Sequence, residues 1–157
     1  HSGNVLTYED VLNGIPPSFK KAVIIGAGAT GLELALHLTE YGCQVSVVEM
    51  LTKIGGGLEA MTKKILLRRL KKIKVNIMNE TELIRIENSG ALVSCSDGRK
   101  MLLEAEKVIL ATGTRPCNDL YHKVKAMGYE TYQIGDCLET RNAKEAILDG
   151  AVLGRSL

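Results

Sequence analysis

The sequence predicts an α/β domain in which a parallel β-sheet is combined with an antiparallel β-meander. Three observations support this prediction. A β-branched run leads into a glycine-rich turn and a helix-forming run at residues 21–42, a second apolar strand follows at residues 43–50, and turn signals at residues 88–90 and 97–98 separate the later strands. A chain of 157 residues, 45% of them apolar, is long enough to bury one core of this kind.

The first unit begins after a break at residues 14–21, GIPPSFKK, because consecutive prolines do not continue a helix. KAVIIGAG (residues 21–28) then predicts a short buried strand, and TGLELALHLTEYG (residues 30–42) predicts a helix that ends at Gly42. A second strand is predicted over CQVSVVEM, residues 43–50. These elements form a βαβ unit of about thirty residues, which implies a parallel pair of strands.

An amphipathic helix is predicted next, around KKILLRRLKK at residues 63–72. Its apolar residues recur at steps of three and four, with the lysines and arginines on the opposite side. The apolar face is expected to consist of Leu58, Met61, Ile65, Leu66, Leu70 and Ile73. We interpret the basic residues as a solvated face and expect no nucleic-acid binding, because no aromatic residues are interleaved with them. VNIM, residues 75–78, predicts a third parallel strand.

Beyond the third strand the pattern changes to short strands broken by Asn88-Ser89-Gly90 and by Asp97-Gly98, which are both hairpin signals. We expect an antiparallel meander of two or three strands, after which residues 108–111 return to the parallel sheet. The rest of the chain predicts one short strand at about residues 131–134 and a final helix from about Ala143.

Gly26, Gly28 and Gly31 fit the pattern G-x-G-x-x-G between a predicted strand and a predicted helix. In a dinucleotide-binding loop the first glycine forms the tight turn, the second lets a pyrophosphate approach the backbone, and the third lets helix and strand pack closely. Ala29 and Thr30 would contribute backbone amides at the helix start, where the helix dipole favours an anion. The pattern predicts a Rossmann-like fold in three layers. The alternative is a glycine-rich turn that binds nothing.

Glu49 ends the second predicted strand, 18 residues after Gly31, where a dinucleotide-binding domain places an acidic residue on the adenosine ribose. A carboxylate there accepts hydrogen bonds from ribose hydroxyls and repels a 2′-phosphate, so we expect NAD(H) to be preferred over NADP(H). No arginine follows Glu49, although the flexible ammonium of Lys53 could offset part of the repulsion. The alternative is that Glu49 is a solvated carboxylate at a strand end.

Other classes of function are not favoured by the sequence. No apolar run approaches the roughly 20 residues of a membrane span, and HSGNVLTYED has no features of a secretory signal, so a cytoplasmic location without membrane binding is expected. The four cysteines form no C-x-x-C pair and have no histidines at ligand spacing, so no metal site is expected. No pairing of a nucleophile with a base is visible, and we assign no catalytic residue. This suits a site in which cofactors carry the chemistry.

Three stretches occur in an order that resembles one family: GAGATGLELA, VILATGTRP (residues 108–116) and YQIGDC (residues 132–137). Together they look like the NAD(P)H-binding domain and following segment of the two-dinucleotide flavoprotein oxidoreductases. The resemblance implies the fold of the pyridine nucleotide-disulfide oxidoreductases, a Rossmann-like fold of the FAD/NAD(P)-binding type. The compact run at residues 115–150 more specifically resembles the old-yellow-enzyme-related enoate reductases, 2,4-dienoyl-CoA reductases and NADH:flavin oxidoreductases.

The resemblance implies roles for further residues. Glu33 would lie on the nicotinamide side, Gly113 would line the crossing between domains, and Asp136 would contact the ribityl chain of FAD as one half of its site. In that family FMN and an iron–sulfur cluster are held by a barrel, which would lie outside this chain. Only one G-x-G-x-x-G is present, so we expect a fragment whose partner is the remainder of its own polypeptide, the FAD domain and the barrel, and which is inactive when isolated.

The predicted organisation is therefore a connector over residues 1–17, of which residues 1–3 resemble a tag remnant, an NAD(H)-binding domain over residues 18–113, and a segment of an FAD-binding domain over residues 114–157. The predicted function is the presentation of NADH for hydride transfer to a flavin. The alternative is a non-catalytic module in which a dinucleotide or ADP is structural or regulatory.

Overall fold

The computed structural model describes residues 3–13 and 17–157. The chain divides into two compact units, His1–Gly113 and Thr114–Leu157. Gly14, Ile15 and Pro16, where the sequence predicts the first break, lie outside the described residues, as do His1 and Ser2 of the possible tag remnant.

The first unit contains two β-sheets. The strands are β1 (Val5–Thr7), β2 (Lys21–Ile25), β3 (Gln44–Val48), β4 (Asn76–Met78), β5 (Thr81–Glu87), β6 (Gly90–Cys95), β7 (Lys100–Glu104) and β8 (Lys107–Leu110). Five of them form a parallel sheet in the order β1-β8-β2-β3-β4, and β5, β6 and β7 form an antiparallel sheet. The predicted βαβ unit, the third parallel strand, the antiparallel meander and the return to the parallel sheet are all confirmed, and the meander has three strands.

Successive side chains of β2 belong to two different apolar clusters, so the core has three layers. Ile24 packs in one apolar cluster with residues of helices α2 (Ala29–Glu40) and α3 (Ala60–Lys72), among them Leu38 and Leu70. Val23 belongs to a second cluster, with Val93 of the meander. Because successive side chains of a strand point to opposite faces, the sheet is covered by helices on one face and by the antiparallel sheet on the other. The predicted three-layer α/β fold is confirmed.

Part of the predicted N-terminal connector is regular structure. β1 pairs in parallel with β8, with Val5 opposite Val108 and Leu6 opposite Ile109. It leads directly into the short helix α1 (Tyr8–Leu12), whose first turn is closed by a reciprocal capping box between Thr7 and Asp10. This segment therefore forms the edge of the parallel sheet.

The predicted apolar face of α3 is only partly correct. Leu66 and Leu70 are buried, whereas Met61 and Ile65 are 62% and 52% exposed. Leu67, which was not on the predicted face, packs against the helix-side core. The helix is rotated relative to the expectation because a broad apolar stripe satisfies the three- and four-residue steps in more than one register.

The second unit consists of α4 (Asp119–Ala126), a 3₁₀ turn (Gly135–Cys137) and α5 (Ala143–Ser156). The predicted final helix is confirmed. The predicted strand at residues 131–134 is wrong: Ile134 has extended dihedral angles, but no strand of the described chain pairs with these residues. The backbone N–H of Gly135 instead donates to Asp149 Oδ2 at 3.1 Å, which ties the turn to α5.

The second unit has no apolar core of its own among the described residues, since every buried apolar side chain of the chain lies at or before Ala111. Several large apolar side chains of this unit are exposed to solvent, including Leu120 (73%) and Ile147 (72%).

None of the helices in the part of the chain that the structure describes has the length and apolar composition needed to cross a bilayer.

Candidate functional site

An open pocket of about 630 Å³ lies at the carboxyl ends of β2, β3 and β8. Crevices at this end of a parallel sheet are the usual ligand sites of doubly wound folds. Every residue that lines it belongs to the first unit: Ile25, Gly26, Gly28, Ala29, Thr30, Val48, Glu49, Met50, Leu51, Gly56, Thr81, Glu82, Leu83, Ala111, Thr112 and Gly113. The structure thus brings the predicted glycine loop and Glu49 together around one cavity.

Two of the three motif glycines are required by the fold itself. Gly26 has φ of 108°, and a Cβ there would lie 2.3 Å from the carbonyl oxygen of Ala111. A Cβ at Gly31 would lie 1.9 Å from the carbonyl oxygen of Gly26. Both distances are far inside van der Waals contact, so these positions exclude a side chain even without a ligand.

Gly28 differs from the other two. Its φ of −71° and ψ of −171° are open to any residue, and a Cβ there would meet nothing closer than the carbonyl oxygen of Gly56, at 3.8 Å. The protein itself therefore leaves room for a side chain at Gly28, and this room opens into the pocket.

Ala29 and Thr30, at the start of α2, line the same pocket. The N–H of Ala29 donates to the carbonyl oxygen of Gly56 at 3.0 Å, whereas the N–H groups of Thr30 and Gly31 have no hydrogen-bond partner in residues 3–13 and 17–157. Free first-turn amides and the positive end of the helix dipole together form an anion site. The site is smaller than the sequence suggested, because one of its amides is satisfied internally.

Glu49 is half-buried at the end of β3, and both of its carboxylate oxygens accept hydrogen bonds. Oε2 accepts from the N–H of Ala27 at 2.8 Å and Oε1 accepts from the N–H of Leu51 at 2.9 Å. Beyond it, the apolar side chains of Met50 and Leu51 are exposed at the pocket. Lys53 is exposed and does not line the cavity.

The other predicted site residues occupy different places. Glu33 lies on the exposed side of α2, outside the pocket lining. Gly113 lines the pocket at the end of the first unit. Asp136 belongs to the second unit, where it is exposed and its Oδ1 accepts a long hydrogen bond, 3.4 Å, from the N–H of Arg141.

A second glycine-rich loop, residues 53–57, was not assigned a role from the sequence. The N–H of Gly55 donates to the carbonyl oxygen of Ala27 at 2.6 Å, and Gly56 accepts from Ala29 as described above. Gly55 and Gly57 have φ of 69° and 82°, which other residues rarely adopt. The run KIGGG was the available signal, since three adjacent glycines indicate a backbone with unusual requirements.

In the part of the chain that the structure describes, no group of three or more histidine, cysteine or acidic residues could hold a metal ion. All four cysteines are free, and burial raises the pKa of the Cys43 thiol, which donates to the carbonyl oxygen of Phe19.

Comparison with known proteins identifies the family. The sequence profile described as "Pyridine nucleotide-disulphide oxidoreductase" matches residues 2–145, most of the chain. The chain belongs to this family. Its members are flavin-dependent oxidoreductases that bind FAD and NAD(P)H, and the glycine loop and pocket lie within the matched region.

Individual relatives agree with this assignment. The chain is 30% identical to the metal reductase of Desulforamulus reducens, over 88% of the chain, and 30% identical to the NADH oxidase of Thermoanaerobacter brockii, over 90% of the chain. Among solved structures, a 2-naphthoyl-CoA reductase in complex with 2-naphthoyl-CoA superposes with a TM-score of 0.86 over 99% of the chain, at 27% identity.

The chain spans about a quarter of the length of these relatives: 25% of the metal reductase, 22% of the NADH oxidase and 24% of the 2-naphthoyl-CoA reductase.

Proposed function

We propose that this chain is the NADH-binding module of a flavin-dependent oxidoreductase. Gly28 and the free amides of Thr30 and Gly31 would hold the pyrophosphate, and Glu49 would accept hydrogen bonds from the adenosine ribose. When bound, NADH supplies the hydride that reduces a flavin. The chain's own residues bind and orient the dinucleotide, with Glu33 proposed on the nicotinamide side.

The observation that carries this proposal is the space at Gly28. The fold explains why Gly26 and Gly31 lack side chains, but nothing in the described chain occupies the position of a Gly28 side chain. A loop that bound nothing would gain from a better capping residue at this N-cap, since serine, threonine, aspartate or asparagine would satisfy an amide of α2. A diphosphate approaching the backbone explains the glycine.

We further propose that the module prefers NAD(H) over NADP(H). Glu49 and Glu82 are the charged residues of the pocket lining, and both are acidic, so a 2′-phosphate would meet repulsion without a compensating arginine or lysine.

Calorimetric titration of the 157-residue chain with NADH and NADPH at matched ionic strength tests both proposals. We expect NADH to bind more tightly by about tenfold, the size of effect that one charge-assisted hydrogen bond supplies. Absence of NADH binding would contradict the proposed function, whereas equal or tighter NADPH binding would contradict only the cofactor preference.

We propose that the chain is part of a longer polypeptide that completes the second unit. Two observations support this: the chain matches only about a quarter of each relative, and the second unit exposes Leu120 and Ile147 without a core of its own. Exposed apolar side chains in this number are typical of a surface that is covered by another part of the protein.

Within that polypeptide we propose an enzyme of the enoate-reductase type, with FMN and an iron–sulfur cluster bound outside this chain. The match to a 2-naphthoyl-CoA reductase, by its name a reductase of an acyl-CoA compound, covers 99% of the chain and supports this proposal. Reduction of the flavin by NADH in the complete polypeptide is the expected result. Tight retention of a nucleotide that does not react would favour a structural or regulatory module instead.

For Asp136 we propose a role as one half of the FAD site. The carboxylate is exposed on a 3₁₀ turn, and the hydrogen bond that it accepts from the N–H of Arg141 is long, so it retains the capacity to accept hydrogen bonds from the ribityl hydroxyls. In the complete polypeptide Asp136→Ala is expected to lower the FAD content after purification while NADH binding is unchanged, and Asp119→Ala, on the exposed start of α4, provides the control. FAD content equal to that of the wild type would refute the assignment.

A further inference from the structure

The carboxylate of Glu49 accepts hydrogen bonds from two segments of backbone, the glycine loop and the residues that follow β3. One oxygen accepts from the N–H of Ala27, between the first two motif glycines, and the other accepts from the N–H of Leu51, beyond the end of β3. Both bonds are shorter than 3 Å, so the carboxylate is held against the backbone of both segments.

Ala27 is buried, and both of its backbone polar groups are hydrogen-bonded. Its side chain is 1% exposed, its N–H donates to Glu49, and its carbonyl oxygen accepts from the N–H of Gly55 at 2.6 Å. Ala27 lies directly before Gly28, whose backbone faces the space proposed for the pyrophosphate. The bond to Glu49 fixes the Gly26–Ala27 peptide, and the bond from Gly55 fixes the Ala27–Gly28 peptide that follows it.

We propose that Glu49 is also a positioning residue for the diphosphate site, acting through Ala27, so that ribose recognition and the shape of the glycine loop depend on the same carboxylate. This proposal rests on the proposed function. A carboxylate is suited to the role because both of its oxygens accept hydrogen bonds. Each oxygen that accepts from a backbone N–H still has a lone pair that can accept from a ribose hydroxyl. A glutamine side chain has one acceptor oxygen and would direct its NH₂ group at one of the two N–H groups.

The two roles are separated by a ligand that has the diphosphate but lacks the ribose hydroxyls. ADP tests both roles, and 2′,3′-dideoxyadenosine 5′-diphosphate tests the shape of the loop alone. If Glu49 only recognises ribose, Glu49→Gln weakens ADP and leaves the dideoxy compound unchanged or slightly tighter, since a negative charge near a diphosphate has been removed.

We expect Glu49→Gln to weaken both nucleotides by about tenfold, the effect of losing one charge-assisted hydrogen bond. In the ligand-free chain, amide hydrogen exchange at Ala27 and Leu51 should accelerate by a similar factor. Glu106→Gln is the matched control: Glu106 Oε1 also accepts from a backbone N–H, that of Lys20 at 2.9 Å, but Glu106 lies outside the pocket lining, so neither nucleotide should be weakened.

Unchanged binding of the dideoxy nucleotide by Glu49→Gln, with Ala27 exchange equal to that of the wild type, would overturn the positioning role while leaving ribose recognition intact. Failure of the wild-type chain to bind ADP or NADH is a different result and would contradict the proposed function itself. A thermal melt of each variant shows whether a loss of binding reflects unfolding.

Discussion

Gly31→Ala is expected to destabilise the first unit by at least about 3 kcal/mol. The new Cβ would lie 1.9 Å from the carbonyl oxygen of Gly26, and this oxygen has little freedom to move. The N–H of Gly26 donates to Val48 at 2.8 Å, and Gly26 itself lies against Ala111 of the neighbouring strand end. Relief therefore requires α2 to move away from the sheet that it covers.

Denaturation with urea, followed by circular dichroism, measures this effect. Gly154→Ala is the matched control, because Gly154 also lies within a helix, α5, and a Cβ there would meet nothing within 4 Å. The control should be neutral or stabilised by up to about 1 kcal/mol, as expected for alanine in a helix. A Gly31→Ala midpoint equal to that of the wild type would show that helix and strand are not in close contact at this position.

Gly28→Ala should leave the free energy of unfolding nearly unchanged and lower the affinity for NADH by about ten- to a hundredfold. The Cβ is compatible with the backbone angles and makes only ordinary contact with Gly56, so the cost to stability is limited to poorer capping of α2, about 1 kcal/mol. The same atom would occupy the space that we assign to the diphosphate. The measurement is titration with NADH after a thermal melt has shown that the variant is folded.

Gly28→Ser distinguishes the effect of side-chain volume on NADH binding from the effect of helix capping on stability. Serine is a favourable N-cap, so this variant should be at least as stable as Gly28→Ala, yet its side chain fills the same space and NADH should still bind weakly. Wild-type affinity in both variants would mean that the ligand does not approach Gly28, and the main argument for a dinucleotide at this loop would be lost.

The central part of the fold was predictable because its signals are local. The apolar run of β2, the glycine spacing and the helical pattern of α2 lie within one stretch of about twenty residues. β1 was missed because it has only three residues, and pairing with β8, about a hundred residues away, is what makes it a strand. Residues 131–134 show the converse: they include β-forming residues, and Ile134 has extended dihedral angles, but no strand of the described chain pairs with them.

The parts of the candidate site that depend on residue type were predictable from the sequence. The parts that depend on backbone geometry were not. The positions of Gly26, Gly31 and Glu49 follow from residue type and spacing. The contribution of Gly56 is a carbonyl oxygen that every residue possesses, so the sequence could not show that it occupies the N–H of Ala29. The bonds of Glu49 to Ala27 and Leu51 were hidden for the same reason.

The absence of lysine and arginine from the pocket lining has a consequence for how binding responds to salt. Proteins that hold phosphates with cationic side chains lose affinity as ionic strength rises, because mobile ions screen the attraction between opposite charges. In the proposed site the attraction would come from the dipoles of fixed amides within the first turn of α2, and the formal charges nearby, Glu49 and Glu82, would be repulsive. Added salt would screen the attraction and the repulsion together, so nucleotide affinity should depend less on ionic strength than at a site built on lysine or arginine.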